Sequence, residues 1–127
     1  MKYVIDSCVW IDFAIKGRHV DSMTKLFIDD LAYVNPIILA EIIPSARLKK
    51  ESAFVECLSG IPCLELSIDW ESVLDIQYFC LKSGINKLGL LDIVIAQNAK
   101  QNHMGIFSTD RHMELLSGKM GIKLKTE

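Results

Sequence analysis

Four acidic residues of this chain stand in, or at the end of, apolar runs: Asp6 in YVIDS, Glu41 in ILAEII, Asp92 in GLLDIVIA and Asp110 in GIFSTD. Removing a carboxylate from water is unfavourable unless it is hydrogen-bonded, paired or metal-bound. Four such positions in a short chain point to a shared role, and if the fold gathers them that role is to hold divalent cations. Oxygen donors suit hard ions, so Mg²⁺ or Mn²⁺ is the expected cofactor.

Each acid also has a plainer explanation. Asp6, Asp92 and Asp110 stand near predicted helix starts, where a carboxylate caps free N–H groups and complements the helix dipole. Taken singly, capping accounts for each as well as catalysis does. Glu41 falls mid-helix, where it caps nothing, and Leu39, Ala40, Ile42 and Ile43 leave it little polar face. Its plain reading is a thin solvent-facing strip, so the conjunction of the four carries the inference.

Other chemistry-bearing residues are less informative. Lys16, Arg18 and His19 form one basic cluster and Arg47, Lys49 and Lys50 another, and either suits a nucleic-acid backbone. For any one of them an ordinary solvated face is the simpler account. Lys119, Lys123 and Lys125 read as solubilising, and His103 and His112 have no evident catalytic partner. Trp10 and Trp70 read as core or interface anchors. Cys8, Cys57, Cys63 and Cys80 include no C-x-x-C pair and no zinc-finger spacing, which leaves reduced thiols filling the core. Asp6-Ser7-Cys8 lacks the Asp-x-Asp of a haloacid-dehalogenase phosphatase, and a receiver domain's acceptor aspartate and late lysine are missing too.

The elements that must position the acids follow from periodicity. Lys2–Ile5, Ala32–Asn35, Cys63–Leu66, Met104–Phe107 and Gly121–Leu124 read as strands. Between them, helical segments are expected at Val9–Ile15 (stopped by Gly17), Asp21–Leu31, Ile37–Ile43 and Ala46–Leu58. Further helices are expected at Asp69–Lys82, Leu91–Lys100 and Arg111–Leu116. Asn35-Pro36 reads as an N-cap with proline in the first turn, opening a helix apolar almost all round and so expected to be buried, with Pro44 kinking or ending it. Alternating strands and helices predict a parallel sheet covered on both faces, with Asp6 and Asp110 just past strand ends, where ligands collect in such sheets.

The chain has 127 residues, a formal net charge of −2 and a mean hydropathy of +0.27, consistent with one α/β domain spanning residues 1–127. That charge excludes a strongly basic nucleic-acid coat protein but not an RNA enzyme. Acids early in MKYVIDSCVWID argue against a signal peptide, and no apolar run approaches the roughly 20 residues of a membrane span. A soluble, cytoplasmic protein is expected.

VIDSCVWID, PIILAEII, LLDIVIAQNAK and GIFSTDRHM together resemble the successive motifs of PIN-domain ribonucleases, particularly the VapC-type toxins of toxin–antitoxin pairs. The resemblance spans essentially the whole chain. It implies a three-layer α/β/α sandwich with a central, mainly parallel sheet. It also implies Asp6, Glu41, Asp92 and Asp110 as the metal-binding quartet, with Asp6 and Asp92 as direct ligands. Ser7 takes the place of a small hydroxyl residue beside the first aspartate, and Ser108 that of a threonine two residues before the last. Met113 replaces a common aromatic and Cys8 a common serine or asparagine, changes that touch packing more than chemistry. The implied activity is metal-dependent hydrolysis of RNA to a 5′-phosphate and a 3′-hydroxyl; Lys16, Arg18 and Arg47, from the two basic clusters, are the candidate RNA contacts. The implied partners are a VapB-like antitoxin and a second copy of the chain; Trp10, Phe13, Phe27 and Leu31 on the early helices offer interface material, with core as their default assignment. The alternative is a PIN-like module that binds RNA or protein without cutting.

Overall fold

The computed structural model describes residues 1–127. In chain order its elements are β1 (Tyr3–Ile5), α1 (Ser7–Lys16), α2 (Val20–Ile28), β2 (Ala32–Tyr33), α3 (Pro36–Leu48), α4 (Ser52–Ser59), α5 (Trp70–Lys82), α6 (Leu90–Gln101), β3 (Gly105–Phe107), α7 (Arg111–Met120) and β4 (Leu124–Lys125). Every residue of β1 and β3 is buried, although successive strand side chains point to opposite faces. Such strands must be covered on both sides. The sheet runs β2-β1-β3-β4 with every pair parallel, and seven helices flank it in the α/β/α arrangement. Ile5 pairs in register with Phe107, so Asp6 and Ser108 leave the carboxyl end of the sheet side by side. Gly105 is needed for close approach, since a Cβ there would lie 2.6 Å from the Tyr3 ring and 2.9 Å from the Lys123 carbonyl.

Several elements depart from expectation. Cys63–Leu66 is no strand but a single bridge, in which Val34 N–H donates to the Pro62 carbonyl and Leu64 N–H to the Val34 carbonyl. Beyond it, amide side chains of α6 take the place of a neighbouring strand. Asn98 Nδ2 donates to the Glu65 carbonyl and Gln101 Nε2 to the Ser67 carbonyl. Gln97 brackets Asp69, accepting from its N–H and donating to its carbonyl. These bonds let Gln97 and Asn98 be buried within the unbroken buried run Ile93–Ala99.

α3 runs through Pro44 to Leu48. The bond that Pro44 cannot donate would have gone to Ala40, and both residues are exposed, so solvent can serve that carbonyl. Only Ile38, Ile42 and Ala46 of this helix are buried, so one side is open despite its apolar composition. α3 and α4 separate at Lys50, which takes a left-handed φ of 58° while Glu51 N–H closes onto the Ala46 carbonyl. α7 continues past Leu116 through Gly118 and stops at Gly121, φ 68°, which delays the last strand to Leu124. Of the cysteines only Cys80 is buried, and Cys57 and Cys63 are exposed.

Candidate active site

Asp6 follows β1 directly and serves as the N-cap of α1, its Oδ1 accepting from Ser7 N–H at 2.9 Å. Its Oδ2 accepts from Ser108 Oγ at 2.8 Å, a contact created by the β1–β3 register. Ser108 Oγ in turn accepts from Asp110 N–H at 3.1 Å. Asp110 caps α7, accepting from His112 N–H at 2.8 Å. The two strand-end aspartates are thus tied together through one buried hydroxyl. The capping explanation holds for both, and capping is what fixes their place.

Asp92 is the third residue of α6, where its Oδ2 accepts from Gly89 N–H at 3.3 Å. Glu41 lies mid-way along α3, on its exposed side, with no hydrogen bond or ion pair. These elements converge at the carboxyl end of the sheet, and the electrostatics show it. Burial raises the Asp6 carboxyl above its ordinary range, opposed by the bonds from Ser108 and Ser7, and the charge of Asp110 adds to the rise. Asp92 is raised first by burial and then by Asp6 and Asp110, with the Gly89 N–H and His112 acting against. Glu41 is raised by crowding of its inner side and then by the charges of Asp6 and Asp92. Its tip remains open to solvent, so its elevation is the most screened of the three.

The fold therefore brings Asp6 and Asp92 within electrostatic reach of each other and of both Glu41 and Asp110. The ion pairs of the molecule join Lys16 and His19 to Asp12 and His112 to Asp110, so no lysine or arginine balances the quartet. No three His, Cys, Asp or Glu side chains converge, as they stand, into a coordination shell. The donor set nonetheless fits a hard divalent ion: carboxylate oxygens that meet no lysine or arginine, with the charged forms of Asp6, Glu41 and Asp92 disfavoured without a cation.

Two residues have more to do here than the sequence indicated. Cys8 Sγ lies 3.9 Å from Asp6 Oδ2 and 3.6 Å from Ser108 Oγ, and Thr109 Oγ1 reaches it at 3.6 Å, so its thiol lines the wall beside Asp6. His112 Nδ1 is 3.6 Å from Asp110 Oδ1 and favours the ionised form of Asp92. Its i, i+2 spacing from a capping aspartate was the available signal. Of the expected RNA contacts, Lys16 pairs with Asp12 at 3.6 Å, Arg18 is exposed, and Arg47 lines a cavity that also holds Glu51 and Glu56.

A family model described as PIN domain matches residues 3–119. The chain belongs to the PIN domain family. No curated protein matches this PIN domain in sequence. Among solved structures, VapBC2 from Rickettsia felis bound to a DNA fragment from its promoter is similar, with TM-score 0.77 and 14% identity over 98% of each chain. FitAcB from Neisseria gonorrhoeae is similar with TM-score 0.68 and 16% identity, over 98% of this chain and 96% of the other. PAE2754 from Pyrobaculum aerophilum is similar with TM-score 0.63 and 16% identity, over 91% and 79%. At these identities the likeness speaks for the fold.

Proposed function

We propose that this PIN domain is a Mg²⁺- or Mn²⁺-dependent endoribonuclease of VapC type, the toxin of a pair neutralised by a VapB-like antitoxin. The observation that carries the reading is the strand-end cluster of Asp6, Glu41, Asp92 and Asp110 with no balancing lysine or arginine. Asp6 and Asp92 are the direct ligands in this account, and Glu41 and Asp110 act directly or through water. An ion held there supplies Lewis acidity to the phosphate and lowers the pKa of the attacking water. Ser108 and the Ser7 amide orient the Asp6 carboxylate, and Oδ1, with one hydrogen bond, keeps a further lone pair for the cleft. The products are a 5′-phosphate and a 3′-hydroxyl, and Lys16, Arg18 and Arg47 contact the RNA backbone.

The names VapBC2 and FitAcB support a partner antitoxin, which would present an arginine to the carboxylates. Homodimerisation is supported by α5, where Trp70, Leu74, Tyr78 and Leu81 form one apolar stripe, each more than half exposed. Trp10, by contrast, is fully buried and stacks on Phe27, while Phe13, Phe27 and Leu31 pack partly buried against the core, the default assignment for all four. No helix is long and apolar enough to cross a membrane, and we place the activity in the cytoplasm. The test is sequencing of RNA ends after matched expression of wild type and Asp6→Asn. A defined cleavage site absent from the variant supports the nuclease, and identical RNA ends favour a module that binds without cutting.

A further inference from the structure

We propose that the cavity formed by Asn86, Lys87, Arg111 and His112 is a subsite for a backbone phosphate of the nucleic-acid strand, next to the one being cleaved. The inference rests on the nuclease reading above. The cavity, about 340 Å³, lies between the α5–α6 connection and the first turn of α7. It shares a wall with the acidic cleft, because His112 lines the cavity while its Nδ1 stands 3.6 Å from Asp110 Oδ1. Lys87 and Arg111 are exposed and belong to no ion pair, so both charges are free for an incoming anion.

The need for such a site follows from charge. Four clustered carboxylates repel a polyanion, and cations beside the cleft that hold its neighbouring phosphates add to what a bound metal ion offsets. The other basic cavity is less suited, since Glu51 and Glu56 offset Arg47 and Lys50 within it. The lining also defines what is recognised. Its apolar residues are Ile85 and Leu115, with no Phe, Tyr or Trp to stack a base. Arg111 and Lys87 supply charge and Asn86 an amide donor, groups that hold phosphate oxygens.

The test uses full-length protein carrying Asp6→Asn, which prevents turnover, and a short fluorescein-labelled single-stranded RNA read by fluorescence anisotropy. Binding is followed between about 50 and 200 mM salt, where each phosphate contact on a single strand contributes about 0.7 to the log–log slope. Lys87→Gln with Arg111→Gln should lower the slope by about 1.4. Lys2→Gln with Lys25→Gln removes the same charge at the opposite end of the sheet and should leave it unchanged. Circular dichroism melts confirm that each variant is folded, and Arg111→Lys should retain most of the slope. An unchanged slope in the Lys87/Arg111 variant overturns the subsite, as does an equal fall in both double variants. Unchanged RNA binding with lost binding of poly-glutamate would also overturn it and reassign the cavity to an acidic polypeptide. Because cleavage is not measured, a slope change in a chain whose wild type proves inactive upholds the subsite while removing the nuclease reading.

Discussion

Replacing Asp92 by asparagine should stabilise the metal-free protein and abolish its stabilisation by metal. Asparagine keeps an oxygen for the Gly89 N–H and removes one charge that Asp6 and Asp110 oppose. Relief of repulsion in this half-buried cluster, discounted for screening, is worth about 1 kcal/mol. With about 2.1 cal/mol/K of unfolding entropy per residue, a chain of 127 residues unfolds with about 0.27 kcal/mol/K, so the metal-free Tm should rise by about 4 °C. Mn²⁺ at a hundred times its Kd stabilises wild type by about 2.7 kcal/mol, or about 10 °C, and should shift the variant far less. Differential scanning fluorimetry with EDTA and with Mn²⁺ measures both. The pH dependence has a definite sign. Asp6, Glu41 and Asp92 all hold protons more tightly folded than unfolded, so their contribution is full below the ordinary carboxylate range and is lost as pH rises through their raised values. Metal-free wild type should therefore lose stability from about pH 4 towards neutrality, and Asp92→Asn should lose less. A lower metal-free Tm in Asp92→Asn, with the Mn²⁺ shift intact, would refute the reasoning.

Three further outcomes are expected. Ser108→Ala removes the donor to buried Asp6 and the acceptor for Asp110 N–H, so it should cost about 1–3 kcal/mol by chemical denaturation and weaken Mn²⁺ binding. Asn98→Leu strands the Asn35 Nδ2 and the Glu65 carbonyl, and since Asn35 caps the helix bearing Glu41, urea melts should show a loss of at least about 2 kcal/mol. Leu74→Arg with Tyr78→Arg places charge in the exposed stripe of α5 and should shift sedimentation from dimer to monomer without altering the far-UV spectrum.

Much of the frame was legible because its signals are local. Short apolar runs ending at Asp6 and before Ser108 mark the central strands, and Asn35 marks the start of α3 by capping. The missing third strand was not legible, because its place is taken by Gln97, Asn98 and Gln101, which lie about thirty residues further along and read only as polar positions of a helix. The break at Lys50 was hidden because a lysine adopts the left-handed conformation that glycine usually signals. The open side of α3 was hidden as well, since Ala40 and Pro44 look apolar in sequence yet face solvent beside Glu41. The contacts of Cys8 with Ser108 and Thr109 depend on the β1–β3 register, a pairing between residues about a hundred positions apart.

The central claim is that the four strand-end carboxylates form a divalent-metal centre for RNA hydrolysis. Its most direct test is cleavage of 5′-labelled single-stranded RNA by purified protein with Mn²⁺ and with EDTA, comparing wild type, Asp6→Asn and Glu41→Gln. Glu41 is the critical residue, because it has no capping role that would explain it otherwise. The account predicts Mn²⁺-dependent cleavage that leaves 5′-phosphate ends, is abolished in Asp6→Asn and falls at least about tenfold in Glu41→Gln, about 1.4 kcal/mol or more of barrier. Cleavage that persists in EDTA, or at the wild-type rate in Asp6→Asn, would contradict it.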